Sequence, residues 1–348
     1  MRYGIVHLGS KESILHIIRY IFEREYRKKN FIDLFCGGLS VTNYALLHTN
    51  FNVFANDLNI YLMSLYEAIL MKNPELEIAK YEWVSREKFQ DVYEHPEKYP
   101  HWYIGYVLQV WSFGCNQKDY LYAREIEEGK HALHEAIVNN DFSLIRQNKN
   151  FDGFTVPAHI ADIDYRKNPT KRQAFLRIFH DFTKSKMGLQ KKYLSRLRQM
   201  ESLQQTEHLD AVSRISPEIS RLMLFKQDWY DLYTSLPERV LRESFIYCDP
   251  PYEGAKEYLF GKGFNYDFFW HWFRHCPYSV YVSSYTAPPD IKPLITEKKY
   301  QLLDNGRVSE NRFRQKEKVT EKVYWNGKGD PVPTMYDELF NTEFSQQL

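Results

Sequence analysis

An alternation of helix and strand patterns near the start of the chain constrains the fold most strongly. Apolar residues recur at helical spacing over residues 13–27, and short apolar runs of strand type follow at 31–35 and 51–55. Further helical patterns occupy residues 41–47 and 60–71, so each strand run lies between two helical patterns. This α-β-α-β-α order is typical of a parallel sheet covered by helices.

Strand patterns stop after this region and return later in the chain. We predict the later strands at 222–225, 245–248, 278–284, 299–303 and 319–325. The last two are suited to a closing antiparallel pair. Because the intervening segment shows mainly helical patterns, we predict an α/β fold in which a mainly helical domain is inserted between strands of the sheet.

The predicted domain boundaries follow from these patterns. The sheet domain is expected in two parts, residues 1–71 and 222–330, with the inserted domain at 72–221. Residues 331–348 are weakly patterned and are expected to form a C-terminal tail.

The composition describes a folded chain without structural cross-links. Of 348 residues, 43% are hydrophobic and 26% are charged, which excludes global disorder. The 4 cysteines are scattered without a CxxC pair, and the 12 histidines show no metal-ligand spacing. We therefore expect neither a metal site nor a disulfide scaffold. Because 46 basic residues balance 45 acidic ones, any basic surface must be local.

Targeting signals are not evident in the sequence. No apolar stretch approaches the roughly 20 residues that a transmembrane helix requires. The first residues also lack the charged-then-apolar layout of a signal peptide. We expect no membrane partner and a cytoplasmic location.

The first candidate site residues lie where the first strand pattern ends. Asp33 and Phe35 precede Gly37 and Gly38, and a helical pattern follows at once. Glycines at a strand-to-helix turn let a ligand approach the backbone closely. Ligands of open α/β sheets bind beyond the carboxyl ends of the strands. The alternative is a tight turn that binds nothing.

Asp57 follows the second strand pattern, about 20 residues after the glycines. An acid at this position can accept hydrogen bonds from both ribose hydroxyls of a nucleoside cofactor. Asp57 also precedes a helical pattern, so helix capping is a compatible alternative. Ser40 is the candidate cap of the helix that follows the glycine turn.

The tetrapeptide Asp249-Pro250-Pro251-Tyr252 follows the apolar run at 245–248 and is the strongest signal in the sequence. The two prolines stiffen the backbone and remove N–H donors, so the Asp249 carboxylate and the Pro250 carbonyl can form a fixed pair of acceptors. Two acceptors beside the flat face of Tyr252 suit the amino group of a planar base. The alternative is a proline-stiffened strand exit.

Together these residues resemble the DNA adenine N6-methyltransferases of the Dam-like family. The motifs, in chain order, are Gly9-Ser10-Lys11, the turn Phe35-Cys36-Gly37-Gly38, Asp57, Asp228 and the tetrapeptide at 249–252. The resemblance covers residues 4–71 and about 222–325. It implies the Rossmann-like sheet of the S-adenosylmethionine-dependent methyltransferases, and it makes the insertion a target-recognition domain between the glycine turn and the catalytic tetrapeptide.

The resemblance also implies a role for each matching residue. Phe35 packs against the methionine part of the cofactor, Asp57 binds its ribose and Asp228 contacts its adenine amino group. The cofactor-binding set is His7, Lys11, Asp33, Phe35, Gly37, Gly38, Asp57, Asp228 and Asp249, and the catalytic set is Asp249, Pro250, Pro251 and Tyr252. Two positions depart from the family pattern: His7 stands where Trp is common, and Leu39 replaces a third glycine.

The segment 166–198 is the candidate contact for nucleic-acid phosphates, because it contains eleven cations and one acid. The predicted DNA-binding residues are Lys171, Arg172, Lys184, Lys186, Lys191 and Lys192. The alternative is a solvated helical face. In the stretch 111–122, Asn116, Gln117 and Lys118 are candidates for reading bases, and local core is the alternative.

The sequence therefore predicts a site-specific enzyme that methylates N6 of an adenine flipped out of duplex DNA. Alternatives are the same chemistry on RNA and a non-catalytic DNA-binding relative; the intact Asp57 and tetrapeptide count against the latter. We expect a monomer with S-adenosylmethionine as methyl donor. A cognate restriction endonuclease is a candidate partner, and the expected setting is a bacterial cell or a phage-infected host.

Overall fold

The computed structural model describes residues 3–5, 10–251, 263–302 and 316–334, with the backbone alone for 297–302 and 316–320. The chain divides into two compact units. The first comprises Met1–Tyr3, Gly9–Met63 and Ile215–Leu348 and contains the sheet, and the second comprises Gly4–Leu8 and Ser64–Arg214.

A seven-stranded sheet organises the first unit. Its strands are β1 (Asn30–Asp33), β2 (Asn52–Asn56), β3 (Leu222–Phe225), β4 (Ser244–Cys248), β5 (Val280–Ser284), β6 (Pro293–Leu302) and β7 (Lys316–Trp325). They lie side by side in the order β3-β2-β1-β4-β5-β7-β6. The pairs among β1 to β5 are parallel, whereas β7 is antiparallel to both β5 and β6. The predicted strands and the closing antiparallel pair are therefore present, with β6 beginning earlier in the chain than expected.

Helices connect these strands and fill the second unit. In chain order they are α1 (Leu15–Arg24), α2 (Ser40–His48), α3 (Ile60–Leu70), α4 (Pro74–Ala79), α5 (Arg86–Glu94), α6 (His101–Val110), α7 (Arg124–Val138), α8 (Ser143–Gln147), α9 (Ala158–Ala161), α10 (Thr170–Lys184), α11 (Gly188–Leu197), α12 (Glu201–His208), α13 (Asp210–Ser213), α14 (Trp229–Ser235), α15 (Glu238–Arg242) and α16 (Tyr266–His275). Short 3-10 helices lie at Lys11–Ile14, Pro96–Lys98, Phe113–Cys115, Lys149–Phe151 and Ser216–Arg221.

Both faces of the sheet are buried, because successive side chains of a strand point to opposite faces. On one face, Ile32 packs in a cluster with Trp229 of α14 and Phe269 of α16. On the other face, Phe31 stacks on Phe245 with ring centroids 5.0 Å apart, and helix α1 covers both rings. The sheet is thus held between two helical layers, which fixes its strand ends in space.

The second unit is mainly helical and has an aromatic core. The rings of Phe154 and Phe179 meet edge-to-face at 5.3 Å, and Trp111 is 1% exposed. Among the described residues, no helix is both long enough and apolar enough to cross a membrane.

Candidate active site

Four predicted acidic residues lie at one edge of the sheet. Asp33 ends β1, Asp57 directly follows β2, Asp249 directly follows β4, and Asp228 lies shortly after β3. Because these strands are parallel, their carboxyl ends meet at the same edge. The sheet therefore collects residues that are more than 200 positions apart in the sequence.

The glycine turn is tied directly to Asp57. Gly37, with a φ of +42°, donates its backbone N–H to Asp57 Oδ2 over 3.0 Å. Asp57 Oδ1 accepts the N–H of Asn59 over 2.9 Å. The side chain of Asn59 accepts the N–H of Leu62 over 3.0 Å, so Asn59 rather than Asp57 caps α3. Asp57 instead links the glycine turn to the end of β2.

The helix after the glycine turn begins differently from the prediction. Ser40 is the first residue of α2, and Leu39 occupies the N-cap position without a side-chain cap. The Ser40 hydroxyl lies 3.1 Å from the Ser10 hydroxyl. Leu39 is fully buried with a left-handed φ of +61°, a conformation that favours glycine. The predicted Ser40 cap is therefore wrong, and Leu39 gains core contacts at a position that strains a leucine backbone.

Asn56 joins the ends of strands β1, β2 and β3. It was not predicted as a site residue from the sequence. Its Nδ2 donates to the carbonyls of Leu34, over 3.1 Å, and Gln227, over 3.0 Å. Its Oδ1 accepts the N–H of Gln227 over 3.2 Å. The side chain is 1% exposed, so these bonds are shielded from water. The signal in the sequence was an asparagine at the end of an otherwise apolar strand.

Asp33 is the most deeply buried acid of the site. Its Oδ2 accepts the hydroxyl of Thr42 over 2.7 Å, whereas its Oδ1 has no hydrogen-bond partner among the described residues. Burial raises the pKa of Asp33 to about 7, and the negative charges of Asp249 and Asp57 act in the same direction. The site thus contains a buried carboxyl oxygen that is open to a hydrogen-bond donor.

Asp249 is held by Lys11 on one side. Lys11 Nζ lies 2.7 Å from Asp249 Oδ2 and 3.7 Å from an oxygen of Glu321 on β7. The side chains of Lys11 and Glu321 are 6% and 4% exposed. Lys11 was predicted to bind the cofactor. In the structure its side-chain nitrogen contacts Asp249, the predicted catalytic residue. Glu321 was missed, since nothing in its local sequence points to the site.

A chain of hydroxyl groups reaches Asp249 from the other side. Ser283 on β5 donates to Asp249 Oδ1 over 3.3 Å, and the Tyr247 hydroxyl lies 2.7 Å from the Ser283 hydroxyl. Both Ser283 and Tyr247 are buried. These two residues were also missed as site residues, because their strand patterns favour a purely structural role.

The remaining predicted site residues are placed as follows. Asp228 caps α14 by accepting the N–H of Tyr230 over 2.8 Å. Phe35 is partly buried beside Trp229 and Phe264. The predicted residues Gly38 and Pro250 are buried and Pro251 is partly buried, whereas His7 and Tyr252 lie outside the described residues.

The predicted DNA-binding residues differ in their exposure. Lys171 is fully buried and donates to Asn140, and Arg172 forms two hydrogen bonds with Glu207. Lys186 is partly buried and donates to the Asp152 carbonyl over 3.0 Å. The exposed members of the set are Lys184, Lys191 and Lys192.

The stretch at 111–122 is built largely into the second unit's core. Trp111, Gln117 and Tyr122 are buried, and Gln117 Nε2 donates to Gln109 over 2.9 Å. Asn116 is partly buried and Lys118 is exposed. Core packing therefore accounts for most of this aromatic stretch.

The described residues contain no group of three or more His, Cys, Asp or Glu side chains placed to hold a metal ion. Cys36, Cys115, Cys248 and Cys276 are buried free thiols. Burial raises the pKa of the Cys36 and Cys248 thiols, which keeps them protonated and unsuited to nucleophilic attack.

The sheet, its glycine turn and the acids at its edge define a Rossmann-like methyltransferase fold. Residues 7–160 match the family model described as D12 class N6 adenine-specific DNA methyltransferase. This match confirms the predicted resemblance to the Dam-like family, and DNA adenine methylation is the activity that the family's description names. A comparison with curated proteins found no match. The family match ends before Asp249, so the catalytic assignment depends on the geometry of the site.

Proposed function

We propose that the chain is a site-specific DNA methyltransferase that transfers a methyl group from S-adenosylmethionine to N6 of a flipped-out adenine. The observation that carries this proposal is the position of Asp249. Its carboxylate follows β4, contacts Lys11 and Ser283, and shares the sheet edge with Asp33 and Asp57.

The residues around the glycine turn fit the cofactor. The unpartnered Asp33 Oδ1 is suited to a buried cationic or N–H donor, and S-adenosylmethionine carries both an ammonium and a sulfonium. Asp57 is anchored by Gly37 and Asn59, and each carboxylate oxygen has a second lone pair for a ribose hydroxyl. When bound, the cofactor supplies a methyl group that its positive sulfur has already activated.

Asp249 and Pro250 act on the target base in this proposal. Adenine N6 is a poor nucleophile because its lone pair is delocalised into the ring. The Asp249 carboxylate and the Pro250 carbonyl would accept hydrogen bonds from the two N6 hydrogens, which favours the rehybridised nitrogen and directs its lone pair outward. Formation of the N6–methyl bond would be balanced by cleavage of the sulfur–methyl bond, with sulfur leaving as a neutral thioether, and N6 would release one proton to these acceptors or to water. The proposal assigns stacking on the base to Tyr252, and Pro251 keeps the segment rigid.

Positioning accounts for the remaining catalytic effect. Well-aligned reactants can lower a barrier by about 7–11 kcal/mol relative to a bimolecular reaction. No covalent enzyme intermediate is required, which agrees with the buried and protonated state of Cys36 and Cys248. Because the target atom is inaccessible inside a duplex, the adenine must leave the base stack.

We assign DNA contact to the turn between α10 and α11. Lys184, Lys191 and Lys192 are exposed around this turn, and Met187 and Leu189 at its tip are 84% and 86% exposed. Lysines bind phosphates, and exposed apolar side chains can insert between base steps. Lys171 and Arg172 are left out of this surface because Lys171 is buried and the pair that Arg172 forms with Glu207 is partly buried. Lys184 is kept, because the pair that it forms with Asp181 is exposed.

The proposed substrate is tested by offering the purified protein duplex DNA and structured RNA in parallel, with methyl-labelled S-adenosylmethionine. We expect label in adenine of DNA and none in RNA. Label in RNA alone would replace DNA as the substrate. Cofactor binding without transfer to either polymer would favour the non-catalytic relative.

A further inference from the structure

We propose that Asp249 is oriented by two buried supports, and that Glu321 and Tyr247 are positioning residues for the transfer reaction. One support runs through Lys11 to Glu321, and the other runs through Ser283 to Tyr247. This inference rests on the proposed function, since it assigns Asp249 the task of accepting an N6 hydrogen.

The hydroxyl support has a fixed direction. An ionised carboxylate only accepts hydrogen bonds, so Ser283 must give its single proton to Asp249 Oδ1. The Ser283 oxygen therefore accepts from the Tyr247 hydroxyl, 2.7 Å away. Burial raises the pKa of Tyr247, so this donor stays protonated. The resulting donor chain directs one hydrogen bond at Asp249 Oδ1 and favours the side-chain rotation that keeps this bond.

The charged support sets the balance of charge at Asp249. Lys11 is 2.7 Å from Asp249 and 3.7 Å from Glu321, so one ammonium lies between two carboxylates. In a buried site, an ammonium that contacted only Asp249 would offset much of the negative charge of that carboxylate. Asp249 would then be a weaker hydrogen-bond acceptor for the N6 amino group. Glu321 shares that ammonium, so its positive charge is divided between two carboxyl groups.

The two supports bind different oxygens of Asp249. Lys11 contacts Oδ2, and Ser283 donates to Oδ1. Because a carboxylate offers about four lone-pair positions, two on each oxygen, neither support alone saturates the oxygen that it contacts.

A matched group with similar chemistry lies against the same sheet, where Glu25 follows helix α1. Glu25 is 2% exposed and accepts the hydroxyls of Ser279, over 2.6 Å, and Tyr281, over 2.9 Å. Tyr281 is the register partner of Tyr247 across β4 and β5. Both tyrosines are buried and hydrogen-bonded, but the Tyr281 hydroxyl donates to Glu25, whereas the Tyr247 chain leads to Asp249.

These matched pairs define the experiment. The test variants are Tyr247→Phe and Glu321→Gln, and the controls are Tyr281→Phe and Glu25→Gln. We expect each test variant to lower kcat on duplex DNA by ten-fold or more, with KM for DNA and the calorimetric affinity for S-adenosylmethionine within about two-fold of wild type. We expect the controls to keep wild-type kcat, whatever stability they lose. Equal kcat losses in all four variants, or wild-type kcat in both test variants, would overturn the inference.

A second readout is independent of turnover. In urea unfolding, Tyr247→Phe and Asp249→Ala should be non-additive, because each removes one end of the same hydrogen-bonded chain. Tyr281→Phe and Asp249→Ala should be additive. If wild type transfers no methyl group, the proposed function fails and this cycle still tests the supports. Additivity in both cycles would contradict the hydroxyl support even in an active enzyme.

Discussion

At the scale of single residues, the buried Asp33 couples the site to pH. Its pKa is raised from 3.8 to about 7, chiefly by burial. An acid with a raised folded-state pKa contributes stability that is fully present below its unfolded pKa and is lost as the pH rises through the folded value. We expect wild type to lose about 2–3 kcal/mol relative to Asp33→Asn between pH 5 and pH 8, in the absence of cofactor. Urea unfolding at both pH values measures the unfolding free energy of each protein. An equal change in wild type and Asp33→Asn would contradict the prediction.

Leu39 makes a second prediction at this scale. Removing the buried leucine side chain costs about 2–5 kcal/mol, and glycine alone relieves the left-handed strain of roughly 1–2 kcal/mol. We therefore expect Leu39→Gly to be more stable than Leu39→Ala, with both below wild type.

The control for Leu39 is Leu46, which is buried inside helix α2. There glycine should be worse than alanine by about 1 kcal/mol, the usual helical order. Thermal unfolding of the four variants gives both orders. If the alanine variant were the more stable one at both positions, the left-handed φ at Leu39 would not reduce the stability of the protein.

At the scale of elements, Asn56 holds the strand ends that carry the site. Asn56→Ala removes three buried hydrogen bonds and leaves the Leu34 and Gln227 backbone groups unpaired. We expect a loss of about 3 kcal/mol or more in unfolding free energy, because each unpaired buried group costs about 1–3 kcal/mol. Weaker S-adenosylmethionine binding should accompany it, since Asp57 and Asp228 follow the linked strands.

Asn52 is the matched control for Asn56 at the other end of β2. It is exposed and its side chain donates to Asn30 over 3.1 Å. Asn52→Ala should cost under about 1 kcal/mol and leave cofactor affinity unchanged. Equal losses in the two variants would show that Asn56 is an ordinary strand residue.

Elements were predictable from the sequence where the signal was local. β1, β2 and β4 are short apolar runs that end in polar or turn residues, so pattern alone located them. Ser40 was misassigned because capping depends on φ and ψ at Leu39, which residue type does not report. Glu321 and Ser283 were missed because their roles exist only once β5 and β7 pair.

At the scale of the whole molecule, the exposed lysines of the α10–α11 turn should control DNA affinity. Neutralising Lys191 and Lys192 with glutamine should weaken binding at low salt and lower the slope of log affinity against log salt by about 2, if each contacts one phosphate. Fluorescence anisotropy over a salt series measures the slope. Arg239→Gln with Arg242→Gln, on the exposed helix α15 of the other unit, is the control. An unchanged slope in the lysine variant would remove this turn from the DNA surface.

We propose that Asp249 directs methyl transfer to adenine N6, and this role can be measured directly. The most direct measurement incubates purified protein with unmethylated duplex DNA and S-adenosylmethionine, digests the DNA to nucleosides and quantifies N6-methyladenine by mass spectrometry. The variants are Asp249→Asn and, as a control, Asp231→Asn at an exposed position of α14. We predict N6-methyladenine from wild type and Asp231→Asn and none detectable from Asp249→Asn. N6-methyladenine at the wild-type level from Asp249→Asn, or a methyl group found only on another base, would contradict the claim.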